Sequence, residues 1–347
     1  MKRKYLVTLL LILAGLLSWA IAPVPQQSRD GFAMNTLIRM TAYTNDDKLI
    51  DDAYSLLAEL DHQLSMYNPS SDISSINAHA GSQRVNVPPS VVEVVRDSRR
   101  VYDVTGGVFN PLIGAVTKMW KINRADNTIP THEELAAALG LSSIENLEIS
   151  DDAVFLKENG CVLDLGGIAK GYASYKIAEL FRNRGVSSGL IDLGGNIYAV
   201  GKKPDGKNWN IGVRNPLEPY GSPAVALSIS DCAVITSGGY ERFKEVDGKK
   251  YSHFFDPKTG ESVMSDLLSA TLVTPDGSLA DGLATAFMIM GFDESAKTLG
   301  KLSPTTGAVF IRQNEDGTPE ILVSSNLRDS VIGMKHPVKF FTISAGK

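Results

Sequence analysis

The sequence predicts an α+β fold, on three observations. Short strand-like segments separated by Gly-containing turns dominate the chain beyond residue 150. The helical patterns are grouped instead of alternating regularly with strands, as a βαβ array would require. The chain has 347 residues, 43% apolar and 21% charged, which describes a globular body of one large or two ordinary domains.

The elements follow in order. Lys2-Arg3-Lys4 precede an apolar stretch from Tyr5 to Ala22 broken only by Thr8, Gly15 and Ser18. A basic start before an apolar core is the form of an export signal, and its length approaches the roughly 17–25 residues that span a bilayer. Residues 1–22 therefore read as a signal cleaved after Ala20 or as a retained anchor in the inner membrane. In both forms the body lies on the periplasmic side. No cysteine is present there to carry a lipid. Residues 23–31 read as a polar linker, and residues 32–347 as the functional domain.

Phe32 to Tyr43 suits a first strand. Ile50, Tyr54, Leu57 and Leu64 recur at helical spacing and predict a helix over about 48–65. A second helix follows Pro88-Pro89-Ser90 and runs to about Tyr102. Thr131 and Glu134 have the spacing of a capping box before a short helix that Gly140 closes. Strands are predicted at 161–164, 187–192, 196–200, 208–213, 224–230, 232–236 and 250–255. Helices from Lys170 to Arg184 and from about Leu279 to Met290 interrupt them.

Charge and cysteine content exclude several function classes. The net charge is −5, and Lys2, Arg3 and Lys4 are the only charges of the first 22 residues, so the body is more acidic still. Such a body is a poor nucleic-acid binder, because phosphate contacts need clustered Lys and Arg. Two cysteines exclude a disulfide scaffold and a cysteine-built zinc site. Export leaves a Cys161–Cys232 disulfide chemically open beside the alternative of two buried thiols. Glycine is in mild excess, with 31 residues, and eight of them form four Gly-Gly pairs.

Three segments could carry chemistry. In Asp164-Leu165-Gly166-Gly167-Ile168-Ala169-Lys170-Gly171-Tyr172 an apolar segment ends at an acid, turns through paired glycines and enters a helix. Glycines there admit close backbone approach, and a helix start favours an anion. The same letters also describe a plain strand-to-helix turn with Lys170 in solvent, and they form neither a dinucleotide fingerprint nor a Walker loop. Ser252-His253-Phe254-Phe255-Asp256-Pro257-Lys258-Thr259-Gly260 places one of five histidines beside an acid and a turn, either as a general base or as ordinary hairpin chemistry. Asp281 and Thr285 are four apart on a predicted helix, so carboxylate and hydroxyl share a face. That pair suits Mg²⁺, which takes few protein oxygens, and equally suits a dipole-favoured acid above a back-bonding threonine. Met66-Tyr67-Asn68, Gly106 to Pro111, Asp192 to Asn196 and Thr236 to Arg242 are further turn-like pieces; Tyr67 and Phe109 could offer aromatic surface to a planar ring.

In their order, these pieces resemble the FAD:protein FMN transferase (ApbE) family over nearly all of residues 32–345. The most specific marks are His253 to Gly260, Asp164 to Tyr172, and Ala280-Asp281-Gly282-Leu283-Ala284-Thr285-Ala286. The resemblance implies an ApbE-type, T-fold-like α+β architecture with mixed sheet lobes and a ligand cleft between them. It implies FAD as substrate, Mg²⁺ as cofactor, and transfer of FMN to a Thr or Ser hydroxyl of an exported protein with release of AMP. Acceptors in the family are flavin-carrying subunits of membrane redox complexes. Carried onto this sequence, Asp164 and Lys170 contact FAD at the glycine turn. Gly167 offers a carbonyl to Mg²⁺, joined by Asp281 and Thr285. Met34, Tyr67, Val108, Phe109, Asn110 and Phe255 line the flavin nucleotide, and His253 is the base. Three departures stand out: Met34-Asn35-Thr36 where Met-Gly-Thr is common, Phe254-Phe255 where smaller aliphatics are usual, and Gly282 where Ala is usual. The same site could serve an FAD pyrophosphatase giving FMN and AMP, or a flavin carrier without catalysis.

Overall fold

The computed structural model describes residues 24–122, 128–219, 222–240 and 242–343. The expected signal or anchor at 1–22 lies outside them. Among the described residues no helix is long and apolar enough to cross a membrane.

A nine-stranded sheet organises the chain. It runs β1 (Gln26–Ala33), β2 (Thr36–Tyr43), β6 (Ser188–Leu193), β7 (Asn196–Gly201), β10 (Cys232–Gly238), β13 (Leu267–Thr274), β14 (Gly307–Gln313), β15 (Pro319–Ser324) and β17 (Val338–Phe341). All neighbours are antiparallel except β15 and β17. Smaller sheets are β3 (Val85–Asn86), β5 (Ala153–Leu156) and β4 (Leu147–Ile149); β16 (Val331–Met334), β9 (Pro223–Ile229) and β8 (Trp209–Arg214); and the hairpin β11 (Phe243–Val246) with β12 (Lys249–Ser252). The helices are α1 (Leu49–Leu64), α2 (Asp72–Ala78), α3 (Pro89–Val104), α4 (Gly114–Trp120), α5 (His132–Gly140), α6 (Ala169–Asn183) and α7 (Gly277–Leu299).

Strand alternation splits the large sheet between two cores. Met40, Ile191, Tyr198, Ile235, Leu272 and Phe310 face the helices in the larger core. Ala199, Val234, Val273, Val309 and Ile321 face β8 and β9 in the smaller one. The sheet is thus a buried middle layer, so its central strands are apolar on both faces. The capping box at Thr131 and Glu134 is formed as the spacing predicts. Cys161 and Cys232 are both free thiols.

Four sequence expectations change. Residues 26–33 are not linker but strand β1, paired from Gln26↔Tyr43 to Ala33↔Thr36. Its polar letters belong to a sheet edge whose outer face meets water, where Arg39 pairs with Asp30. The single strand expected over 32–43 is consequently two, reversing at Met34-Asn35. Residues 161–164 form no strand; they carry an isolated bridge, Ile113↔Val162, and the Asp164 N–H donates to the Pro111 carbonyl at 2.8 Å. Helix α7 continues past Met290 through a kink at Gly291, whose φ is +75°.

Candidate active site

A cavity of about 930 Å³ opens between the β1–β2 turn, residues 108–122, the glycine turn at 164–170, the ends of β6 and β10, residues 253–255 and one face of α7. Its size suits a large organic ligand. Tyr67, Val108, Phe109, Asn110, Asp164, Gly167, Lys170, His253, Phe255, Asp281 and Thr285 all line it, although they come from distant parts of the chain. Met34 does not. At the reversal Met34 and Asn35 have φ of +48° and +59°. That turn packs Met34 against the main core, with its N–H donating to Asp61 Oδ2 at 2.9 Å, and brings its neighbours Asn35 and Thr36 into the wall.

Three oxygen donors meet where α6 and α7 cross. The Thr285 hydroxyl donates to the Gly167 carbonyl at 3.2 Å. One turn earlier on the same face, Asp281 Oδ2 accepts from the Gly171 N–H at 2.8 Å. Asp281 is buried, and burial raises its pKa; the Lys170 charge and the Gly171 N–H oppose that. Beside it stands the buried side chain of Asn196, whose amide also favours the charged carboxylate. A Cβ on Gly167 would stand 3.1 Å from Thr285 and 3.2 Å from Phe109, so glycine keeps this corner open. Among the described residues no group of three or more His, Cys, Asp or Glu is placed to hold a metal ion. A carbonyl, a hydroxyl and one dehydrated carboxylate are instead hard oxygen donors of the kind Mg²⁺ accepts, with room left for a ligand's own oxygens. The residues present fit such an ion.

His253 lines the same cavity. Its Nδ1 lies 3.0 Å from the Arg242 carbonyl. A carbonyl has no proton to give, so Nδ1 carries the hydrogen and Nε2 keeps its lone pair. Burial, with the Arg242 and Lys170 charges adding to it, pulls the pKa down to about 4, against the opposing effect of the carbonyl bond. The imidazole is therefore neutral at pH 7 and able to accept a proton.

The remaining wall combines aromatic faces with charge. Phe255 stacks on Trp120 with centroids 5.7 Å apart, and Trp120 Nε1 donates to the Gly260 carbonyl at 2.7 Å, which fixes both rings. Tyr67 stands at the rim, 68% exposed. Asp164 Oδ1 accepts from the Gly166 N–H at 2.8 Å; burial raises its pKa against that bond, the Thr117 hydroxyl and the Lys118 charge. Lys118, Lys121 and Arg242 join Lys170 in the lining, so four cations and two acids face the cavity. Sequence reading assigned no role to Thr117, Lys118 or Lys121. It noted Asn35 only as a departure from the family pattern and left Ser237 and Arg242 in a turn-like segment; the signal for Arg242 was position, eleven residues before His253.

Residues 34–310 match the sequence model of the ApbE family. Among similar curated proteins, an FAD:protein FMN transferase of Treponema pallidum is 33% identical over 310 residues, 84% of this chain and 85% of that protein. One from Vibrio cholerae is 29% identical over 332 residues, covering 93% and 98%. Among solved structures, the flavin transferase ApbE from Vibrio cholerae superposes with a TM-score of 0.79 at 26% identity, covering 89% of this chain and 100% of that one. The apo flavinyl transferase ApbE of Pseudomonas stutzeri gives 0.79 at 25% identity, covering 89% and 98%.

Proposed function

The chain belongs to the ApbE family and is an FAD:protein FMN transferase, and from that premise we propose that it moves FMN from FAD to a Thr or Ser hydroxyl, with Mg²⁺, releasing AMP. The observation carrying this reading is one cavity that holds a neutral histidine, a corner of hard oxygens and a set of aromatic faces.

FAD lies along the cavity with its flavin against Tyr67, Val108, Phe109 and Phe255, and with Asn110 beside it. Asp164 and Lys170 meet the ligand at the glycine turn, where Lys170 offsets pyrophosphate charge. Gly167, Asp281 and Thr285 would hold Mg²⁺. When bound, the ion neutralises charge on the pyrophosphate and on the departing phosphate. His253 Nε2 takes the proton of the acceptor hydroxyl. The hydroxyl oxygen bonds to the phosphorus on the flavin side, the bond to the AMP oxygen breaks, and AMP leaves with that electron pair.

The acceptors are exported flavin-carrying subunits of membrane redox complexes. The protein works on the periplasmic side of the inner membrane, delivered by residues 1–22 as a cleaved signal or an anchor. The basic-then-apolar pattern of those residues supports this location. Mass spectrometry of an acceptor incubated with the protein, FAD and Mg²⁺ tests the activity. FMN added to one Thr or Ser, with AMP released in equal amount, is the expected result; free FMN and an unlabelled acceptor would mean hydrolysis.

A further inference from the structure

We propose that a second groove, of about 480 Å³, seats the acceptor polypeptide as an extended segment delivering its hydroxyl to the cavity; the proposal rests on the transferase reading above. The groove meets the cavity at Val108 and Ile289, which border both. Ile289 continues the helical face of Asp281 and Thr285, one turn further on, so the groove begins about 6 Å along α7 from the oxygen corner. Its other wall contains Val263, whose N–H donates to the Phe254 carbonyl at 2.9 Å, beside the base His253. The groove therefore leads to the two features that an incoming hydroxyl must meet.

Its chemistry suits a polypeptide. Val104, Val263 and Met290 supply an apolar lining, and the rim carries Asp256 and Glu294 against Lys258 and Lys301. Those opposed charges cancel, which disfavours a second phosphate-bearing ligand and suits a polypeptide with both apolar and polar side chains. FAD fills the cavity itself, so a protein nucleophile needs its own approach, whereas water needs none.

The test uses the full-length protein, FAD, Mg²⁺ and a purified flavin-accepting subunit of a membrane redox complex, with FMN on the acceptor read by mass spectrometry. Val263→Arg and Met290→Arg each fill the groove with a charged side chain. Each is expected to raise the KM for the acceptor about tenfold or more, as for loss of an interface anchor, while FAD affinity by flavin fluorescence is unchanged. Lys258→Glu, on an exposed turn where the side chain makes no core contact, should raise it a few-fold. An unchanged acceptor KM in all three variants overturns the groove, as does a loss of FAD affinity that matches the loss of transfer. A wild-type protein that consumes FAD yet labels nothing overturns the transferase reading, and the groove with it.

Discussion

Gly171 and Gly277 touch backbone to backbone where α6 crosses α7. A Cβ on Gly171 would overlap the Gly277 carbonyl oxygen and stand 2.5 Å from Asp281 Cβ; one on Gly277 would lie 2.5 Å from the Gly171 carbonyl oxygen. This approach lets the Gly171 N–H reach Asp281, so helix packing and site geometry share one contact. Gly171→Ala must push the helices apart. We expect a loss of about 1–3 kcal/mol, the usual scale of overpacking, read as a lower denaturant midpoint. Transfer activity should fall with it. Gly185→Ala, where a Cβ meets open space, is a control for the crossing: its cost comes only from the φ of +76°.

Asp281→Asn separates charge from hydrogen bonding. The amide oxygen can still accept from Gly171, so folding should be retained and the thermal midpoint should change little. Loss of the carboxylate charge should abolish the Mg²⁺ dependence and lower turnover at least about a hundredfold, the scale of removing one preorganised electrostatic contact. Titration of activity with Mg²⁺ after chelator treatment checks it. Wild-type dependence surviving in the variant would remove Asp281 from the metal site.

The sequence made the local parts of this site readable and hid the long-range ones. Asp281 and Thr285 lie one turn apart on a helix, so their shared face follows from spacing alone. The acid-to-glycine turn at 164–167 was likewise legible from its letters. Gly171 was not, because its need for glycine arises from a helix 106 residues away. Strand β13, Leu267–Thr274, escaped because both of its faces are buried, which removes the polar-apolar alternation that marks a half-buried strand. Strand β1 escaped for the opposite reason, since an edge strand with a wet outer face has the composition of a linker. Whether Met34, Asn35 or Thr36 turns toward the cavity is decided by a two-residue reversal, a backbone detail that residue spacing does not encode.

Asn35 tests that reversal. Its φ of +59° is left-handed, a conformation that Gly adopts freely, Asn tolerates and β-branched residues avoid. Asn35→Gly should therefore change stability by no more than a few tenths of a kcal/mol and keep FAD binding. Asn35→Val should cost about 1–2 kcal/mol and weaken FAD binding, because the residue also lines the cavity. Thermal melts with and without FAD measure both effects. Equal behaviour of the two variants would show that the turn does not constrain the wall.

His253 gives the sharpest pH signature. In the proposed mechanism the reactive form is the neutral imidazole, whose Nε2 lone pair would take the hydroxyl proton. An ordinary histidine would lose that form as pH falls through about 6.5. Here burial, aided by the Arg242 and Lys170 charges, lowers the pKa to about 4, so the neutral form persists well into the acid range. The same depression means that protonation favours the unfolded chain below its ordinary pKa, so this residue weakens the fold as pH falls through 6.5 towards 4. For catalysis, kcat/KM should be level from about pH 8 down to 5 and then fall along an acid limb near 4. His253→Ala should bind FAD normally, lose about 10²–10⁴-fold in transfer and lose that limb. A wild-type limb centred near 6.5 would mean that the imidazole sits in water, and an unchanged rate in the alanine variant would exclude it as the base.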